Sequence, residues 1–196
     1  MPNYRRAFSP GGTFFFTLVT YRRARFLCDE RARALLHEAI EQCRDEHPFT
    51  IDALVLLPDH LHAIWTLPDG DADSSSRWGR IKRAFTQAWT SDHGWEGAVS
   101  ESRDRERRRG VWQRRFWEHV IRDETDYQRH LDYVHYNPVK HGLAKCPHTW
   151  AWSTFHRHVR EGHYVADWWC ACTGGSSHPP DSAGLDLDAA EPMFGE

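Results

Sequence analysis

Three features of the chain predict an α+β fold of the ferredoxin-like, split βαβ kind: an antiparallel sheet with helices on one face. Strand-like and helix-like segments follow one another in the order β-α-β-β-α-β-α. Pro58-Asp59 is a turn signal that folds two neighbouring strand-like runs into a hairpin. A length of 196 residues, 40% of them hydrophobic, suits one core.

Each element has its own reason. "GTFFFTLVTYRRARFL" (12–27) is rich in aromatic and β-branched residues and reads as the first strand. Residues 28–47 carry Ala34, Leu35, Ala39, Ile40 and Cys43 at helical period, with Asp29 as the cap. "FTIDALVLLPD" (49–59) and "HLHAIWTL" (60–67) are the hairpin strands. The polar loop 67–76 ends in cap residues. The helix over 77–92 then presents Trp78, Ile81, Phe85 and Trp89 on one face and basic residues on the other. Residues 93–110 form a charged insert expected to be mobile, and "VWQRRFWEHVIRDE" (111–124) is the fourth strand. "TDYQRHLDYVHYNP" (125–138) is a helix capped by Thr125 or Asp126, which Pro138 stops or kinks, and Gly142 ends the unit. A mixed aromatic segment follows at 150–169. Residues 1–169 therefore read as one domain with a basic insert at about 93–110, and 170–196 as an acidic tail of disordered composition.

Composition narrows the function. No run of 18 apolar residues is present, so no membrane span is expected. The first residues lack the apolar stretch of a secretory signal, which makes a cytoplasmic protein the expectation. Five cysteines, an odd number with no C-x-x-C, argue against a disulfide framework. Cys170 and Cys172 could bind metal, but no second cysteine pair accompanies them, so zinc is not expected there. The net charge of -3 hides an asymmetry. Residues 77–115 hold eleven Lys/Arg against five acids, whereas 170–196 hold five acids and no Lys or Arg. The arginine clustering modestly favours a phosphate-rich partner over a merely solvated loop.

The chemistry concentrates in two places. In a strand, His60 and His62 share a face, while Leu61, Ala63, Trp65 and Leu67 share the other. The second set is wholly apolar and should face the core, leaving the histidines presented outward. Two imidazoles so placed can grip one divalent cation. The plainer reading of an isolated H-x-H is a pair of strand histidines bonded to neighbours. The second place is "HLDYVHYNPVKHGL" (130–143), where Tyr133 and Asn137 stand one helical turn apart on one face. Asn137 could add an oxygen to a cation held by His60 and His62, with Tyr133 close by. Tyr133 as a packed helix aromatic is the alternative. Tyr136 is a rival phenol, but it lies about 100° further round the helix.

Taken in order, "FFFTLVTYRR", "DHLHAIW", "IKRAFTQAW", "WQRRFWEHVIRDE", "YVHYNPVKHGL" and "WSTFHRHV" resemble the HUH single-tyrosine transposases, and within them the REP-associated tyrosine transposases. The resemblance spans roughly residues 13–159. It implies a ferredoxin-like fold, a divalent metal (Mg²⁺ or Mn²⁺) and a tyrosine that cuts single-stranded DNA at hairpins of repetitive extragenic palindromes. It maps His60 and His62 to metal binding, Tyr133 to the nucleophile and Asn137 to the polar position one turn later. Expected DNA contacts are Lys82 and Arg83 on the second helix and Arg114 and Arg115 in the fourth strand. The resemblance also implies a nucleoid-associated monomer or homodimer. A catalytically silent hairpin DNA- or RNA-binding protein is the alternative. The insert and the acidic tail have no counterpart in the family pattern.

Overall fold

The computed structural model describes residues 9–106 and 108–170. Its strands are β1 (Thr13–Val19), β2 (Thr50–Leu56), β3 (His60–Thr66) and β4 (Trp117–Val120). Its α-helices are α1 (Glu30–Glu46), α2 (Ser74–Ser91), α3 (Glu101–Arg105), α4 (Glu124–Lys140) and α5 (Phe155–Arg160). The strands form one antiparallel sheet in the order β2-β3-β1-β4, the arrangement expected of a split βαβ plan.

The sheet is buried on both faces. Phe14, Phe16, Leu18, Leu61, Ala63 and Trp65 point to one side and pack with the apolar stripes of α1 and α2. Trp65 stacks on Trp78 of α2 with ring centroids 3.9 Å apart. These two helices occupy one face, as predicted. On the other face, Phe15, Val55 and Ile64 pack with Leu131, Tyr133 and Val134 of α4 and with Phe155. "FFFTLV" explains why: successive apolar residues of a strand need cover on both sides, not one. Residues 152–154 close the outer edge of β2, where Trp152 O accepts from Leu56 N and Leu54 O accepts from Thr154 N.

Several boundaries differ from expectation. β1 ends at Val19 because Tyr21–Arg23 form a 3-10 turn, with Arg22 and Arg23 both at φ 53°. β4 is confined to Trp117–Val120, so Arg114 and Arg115 precede the strand instead of lying in it. The cap of α4 is Asp123, whose Oδ1 accepts from Asp126 N at 2.9 Å, not Thr125 or Asp126. The helix continues through Pro138 to Lys140, because a proline in the last turn forfeits only one backbone bond. Gly142, at φ 66°, then turns the chain away. The insert contains α3 and is closed at its base, where Gly97 N donates to Gly110 O and Arg109 pairs with Glu96.

The cysteine expectation fails at one pair: Cys146 and Cys170 are joined as a disulfide. Their 24-residue separation carries no motif, so only the three-dimensional path of the chain brings them together. Cys172 and the rest of the acidic tail lie outside the described residues. No helix among the described residues is long and apolar enough to cross a membrane.

Candidate active site

The ladder between β1 and β3 sets the site. Thr17 stands opposite His62, and Val19 opposite His60. Strand alternation sends both imidazoles to the α4 face, as their spacing predicts. They are not presented outward, however. His60 is 2% and His62 1% exposed, because α4 lies across them.

Each ring is oriented by its Nδ1. Asp59 Oδ1 accepts from His60 Nδ1 at 2.7 Å, and Thr17 Oγ1 lies 2.9 Å from His62 Nδ1. With protons on both Nδ1 atoms, both Nε2 atoms offer lone pairs, and both are buried without a hydrogen-bond partner among the described residues. Asp59 is itself held by Arg23, whose Nη1 donates to its Oδ2 at 2.9 Å, while Thr20 anchors the Asp59 carbonyl. The left-handed backbone at Arg22 and Arg23 is what turns this guanidinium back to the hairpin.

The helix supplies the rest. Tyr133 lies edge-on to His62, with centroids 5.1 Å apart, and His141 lies edge-on to His60 at 5.0 Å. Asn137 sits midway between them on the same helix face, one turn from each. It is fully buried, and both Oδ1 and Nδ2 lack a partner among the described residues. A buried amide with neither atom satisfied is costly, as are two orphan imidazole nitrogens, unless something fills the space between them. A divalent cation suits this donor set of two imidazoles and an amide oxygen. Lys140 places its ammonium 4.9 Å from the centroid of the Tyr133 ring. Tyr136 faces Trp169 instead, at 6.3 Å.

Burial pushes the His62 imidazole well below its ordinary value, and electrostatic coupling to His60, His141, Lys140 and Arg23 pushes it further. A neutral ring is the form that binds metal. Burial alone would raise the Asp59 carboxyl. Its interactions with His60, then with Arg23, outweigh burial and hold the group well below the usual carboxylate range.

These shifts predict how stability depends on pH. His62, His130 and His135 all have depressed values, chiefly from burial, so the unfolded chain binds their protons more readily. Their contribution is full above about pH 6.5 and declines as pH falls through it. Asp59, also depressed, adds a second loss below about pH 4. Thermal unfolding of the metal-free protein should show Tm falling steadily from about pH 7 to about pH 5, and a flat profile there would refute neutral buried imidazoles.

The expected DNA contacts form a separate region. A cleft of about 640 Å³ is lined by Lys82, Arg83, Arg103, Arg108, Arg109 and Arg114, among others. Lys82 Nζ donates to Gln113 O at 2.6 Å and to Arg114 O at 3.4 Å, so it anchors the strand lead-in. Arg83 and Arg114 are exposed. Arg115 is exposed but does not line the cleft. Arg77, counted among the basic residues, is buried in bonds to Asp71 and to the carbonyls of His47, Pro48 and Asp73. The cleft is walled by α2, on the sheet face opposite the histidines, and its tie to them runs through the backbone: Gln113 N donates to Val19 O, and Val19 is the ladder partner of His60.

Sequence reasoning missed Asp59, Thr17, Arg23, Lys140 and His141. Two signals were present: Thr17 is the lone polar residue inside "FFFTLV", and Lys140 and His141 continue the Tyr133–Asn137 face by one more turn.

Comparison with known proteins decides the family. The chain is 45% identical over 168 residues to the REP-associated tyrosine transposase of Escherichia coli K12, covering 86% of this chain and 91% of that one. The chain belongs to the REP-associated tyrosine transposases. A Haemophilus influenzae relative described as of this same transposase type is 39% identical over 168 residues, covering 86% of this chain and 93% of its own. A solved REP-associated tyrosine transposase bound to a REP hairpin superposes with a TM-score of 0.72 at 44% identity, over 86% of this chain and 91% of that one. No family model matches the chain. Membership in the REP-associated tyrosine transposases supports an enzyme that acts on DNA, and the four-stranded sheet agrees with that structural neighbour.

Proposed function

We propose that this chain nicks and rejoins single-stranded DNA at REP-type hairpins through a 5′-phosphotyrosine intermediate on Tyr133. What supports this reading is a pair of imidazoles, His60 and His62, with ring centroids 5.0 Å apart and unpartnered Nε2 atoms, lying against a helix whose Tyr133 ring stands edge-on to His62 and whose orphaned Asn137 amide follows one turn later. His60 and His62, with the Asn137 oxygen, would hold the cation, Mg²⁺ or Mn²⁺. When bound, such a cation polarises a phosphodiester and orients it for in-line displacement.

The chain's own residues do the rest. Tyr133 Oη attacks phosphorus and forms a P–O bond, the bond to the 3′ oxygen breaks, and the phenolic proton ends on the released 3′-hydroxyl. A 3′-hydroxyl reverses the step, so strands are joined without ATP. Lys140, over the Tyr133 ring, offsets negative charge on the phenol and phosphate. Arg83 and Arg114 in the cleft, with Arg115 beside it, hold the hairpin backbone, and Lys82 keeps the Arg114 segment in place.

The test is a labelled REP-type hairpin with a single-stranded flank, incubated with Mn²⁺ and run on a denaturing gel. The expected result is a covalent protein–DNA band that a chelator abolishes. Plain cleavage without the band would make the site a water-using hydrolase. Binding without cleavage would make the chain a silent hairpin reader.

A further inference from the structure

Outside the catalytic centre, the described residues hold three groups of potential metal ligands. Two are tied up by internal hydrogen bonds, although His130 Nε2 is left without a partner among the described residues. His119 Nε2 bonds to Asp126, and His158 bonds to His163 and to Asp52 O. The third is Cys146, His148 and Cys170, whose ligand atoms all lie within 4.8 Å of one another.

We propose that, in the reduced protein, Cys146, His148 and Cys170 form a binding site for a thiolate-preferring divalent cation, Zn²⁺ being the natural occupant. Four-coordinate zinc holds sulfur at about 2.3 Å and imidazole nitrogen at about 2.0 Å, which sets its ligand atoms roughly 3.5 Å apart. Ligand atoms within 4.8 Å reach that spacing by small side-chain movements. The chain order strengthens the case: Cys146-Pro147-His148 is a C-x-H pair, which brings two donors from one short turn.

The backbone around the site is well fixed. Thr149 donates to Cys146 O from both its amide and its hydroxyl, and Cys170 N donates to Asp167 O. Cys146 and Cys170 are both buried, as structural ligands are, while His148 is exposed. The remaining described cysteines are far less suited to metal. Cys28 has its thiol pushed up to about 12, chiefly by burial, and Cys43 is buried on α1.

The disulfide and the metal site are two states of one pair. Two equivalents of a small thiol reductant cleave the S–S bond, giving two protein thiols and one oxidised small-molecule disulfide. The cation then displaces both thiol protons and forms two metal–sulfur bonds. Either state ties the segment after α5 to the loop that follows the helix carrying Tyr133. Disulfides do not persist in a glutathione-rich compartment, so the metal state is the one that keeps the tie there.

Titrating the full-length, reduced protein with Co²⁺ tests the site, because only sulfur ligation gives an intense thiolate-to-cobalt absorption band. The nitrogen and oxygen donors at His60, His62 and Asn137 cannot produce it. We expect the band at stoichiometric Co²⁺, its displacement by Zn²⁺, and its absence after oxidation. Cys146→Ser should sharply weaken it, and His148→Ala, at an exposed position, should weaken Co²⁺ binding by about tenfold or more. A reduced wild-type protein without the band, or a band unchanged in both variants, would overturn the proposal.

Discussion

Tyr133→Phe is expected to abolish the covalent protein–DNA adduct and to lower strand joining by roughly 10⁴-fold or more, as removal of a nucleophile does. The variant should still fold. Phenylalanine keeps the ring that packs against Phe15 at 5.9 Å and His62 at 5.1 Å. A melting curve close to wild type would separate lost chemistry from lost structure. Tyr136→Phe is the matched control, since that ring is turned toward Trp169 and should leave the adduct intact. An adduct that survives in Tyr133→Phe would move the nucleophile elsewhere.

The next largest effect is expected on metal use. His62→Ala removes one of two imidazole donors and should reduce cleavage by about 10³-fold or more at any Mn²⁺ concentration that wild type saturates. Asp59→Asn keeps both donors but weakens the grip on His60 Nδ1, so metal affinity should fall by about 10- to 100-fold. Raising Mn²⁺ should then restore most of the lost rate. That split is diagnostic: a purely structural defect in Asp59→Asn would not respond to metal. Measuring the initial rate across a Mn²⁺ series in the three proteins decides between the two outcomes.

The fold was legible because its signals are local. The Pro58-Asp59 hairpin, the stripe Trp78–Ile81–Phe85–Trp89 and the Phe-rich first strand all report on their own neighbourhoods. The pairing of His60 with His62 followed from strand alternation, and the alignment of Tyr133 with Asn137 from the helix repeat. Contacts between distant segments were harder to read. Alternation could assign Thr17 to a face but not place it opposite His62, since that depends on the β1–β3 register. The burial of the histidines required knowing that α4 crosses the second sheet face, which no single helix pattern reveals. The Cys146–Cys170 link is likewise a product of the overall path. Arg114 and Arg115 were misplaced because apolar residues on either side made a short strand look long.

The register of β1 against β3 has an evolutionary corollary. Adding or deleting one residue between Phe14 and Thr17 would leave a strand that still pairs, and still offers apolar side chains to both layers. Yet the hydroxyl that braces His62 would swing to the α1–α2 side, and a phenylalanine or leucine would take its place. Frame-preserving length changes here would thus spare the scaffold while disarming the enzyme. Lineages should tolerate such changes in the 93–110 insert and purge them from this strand.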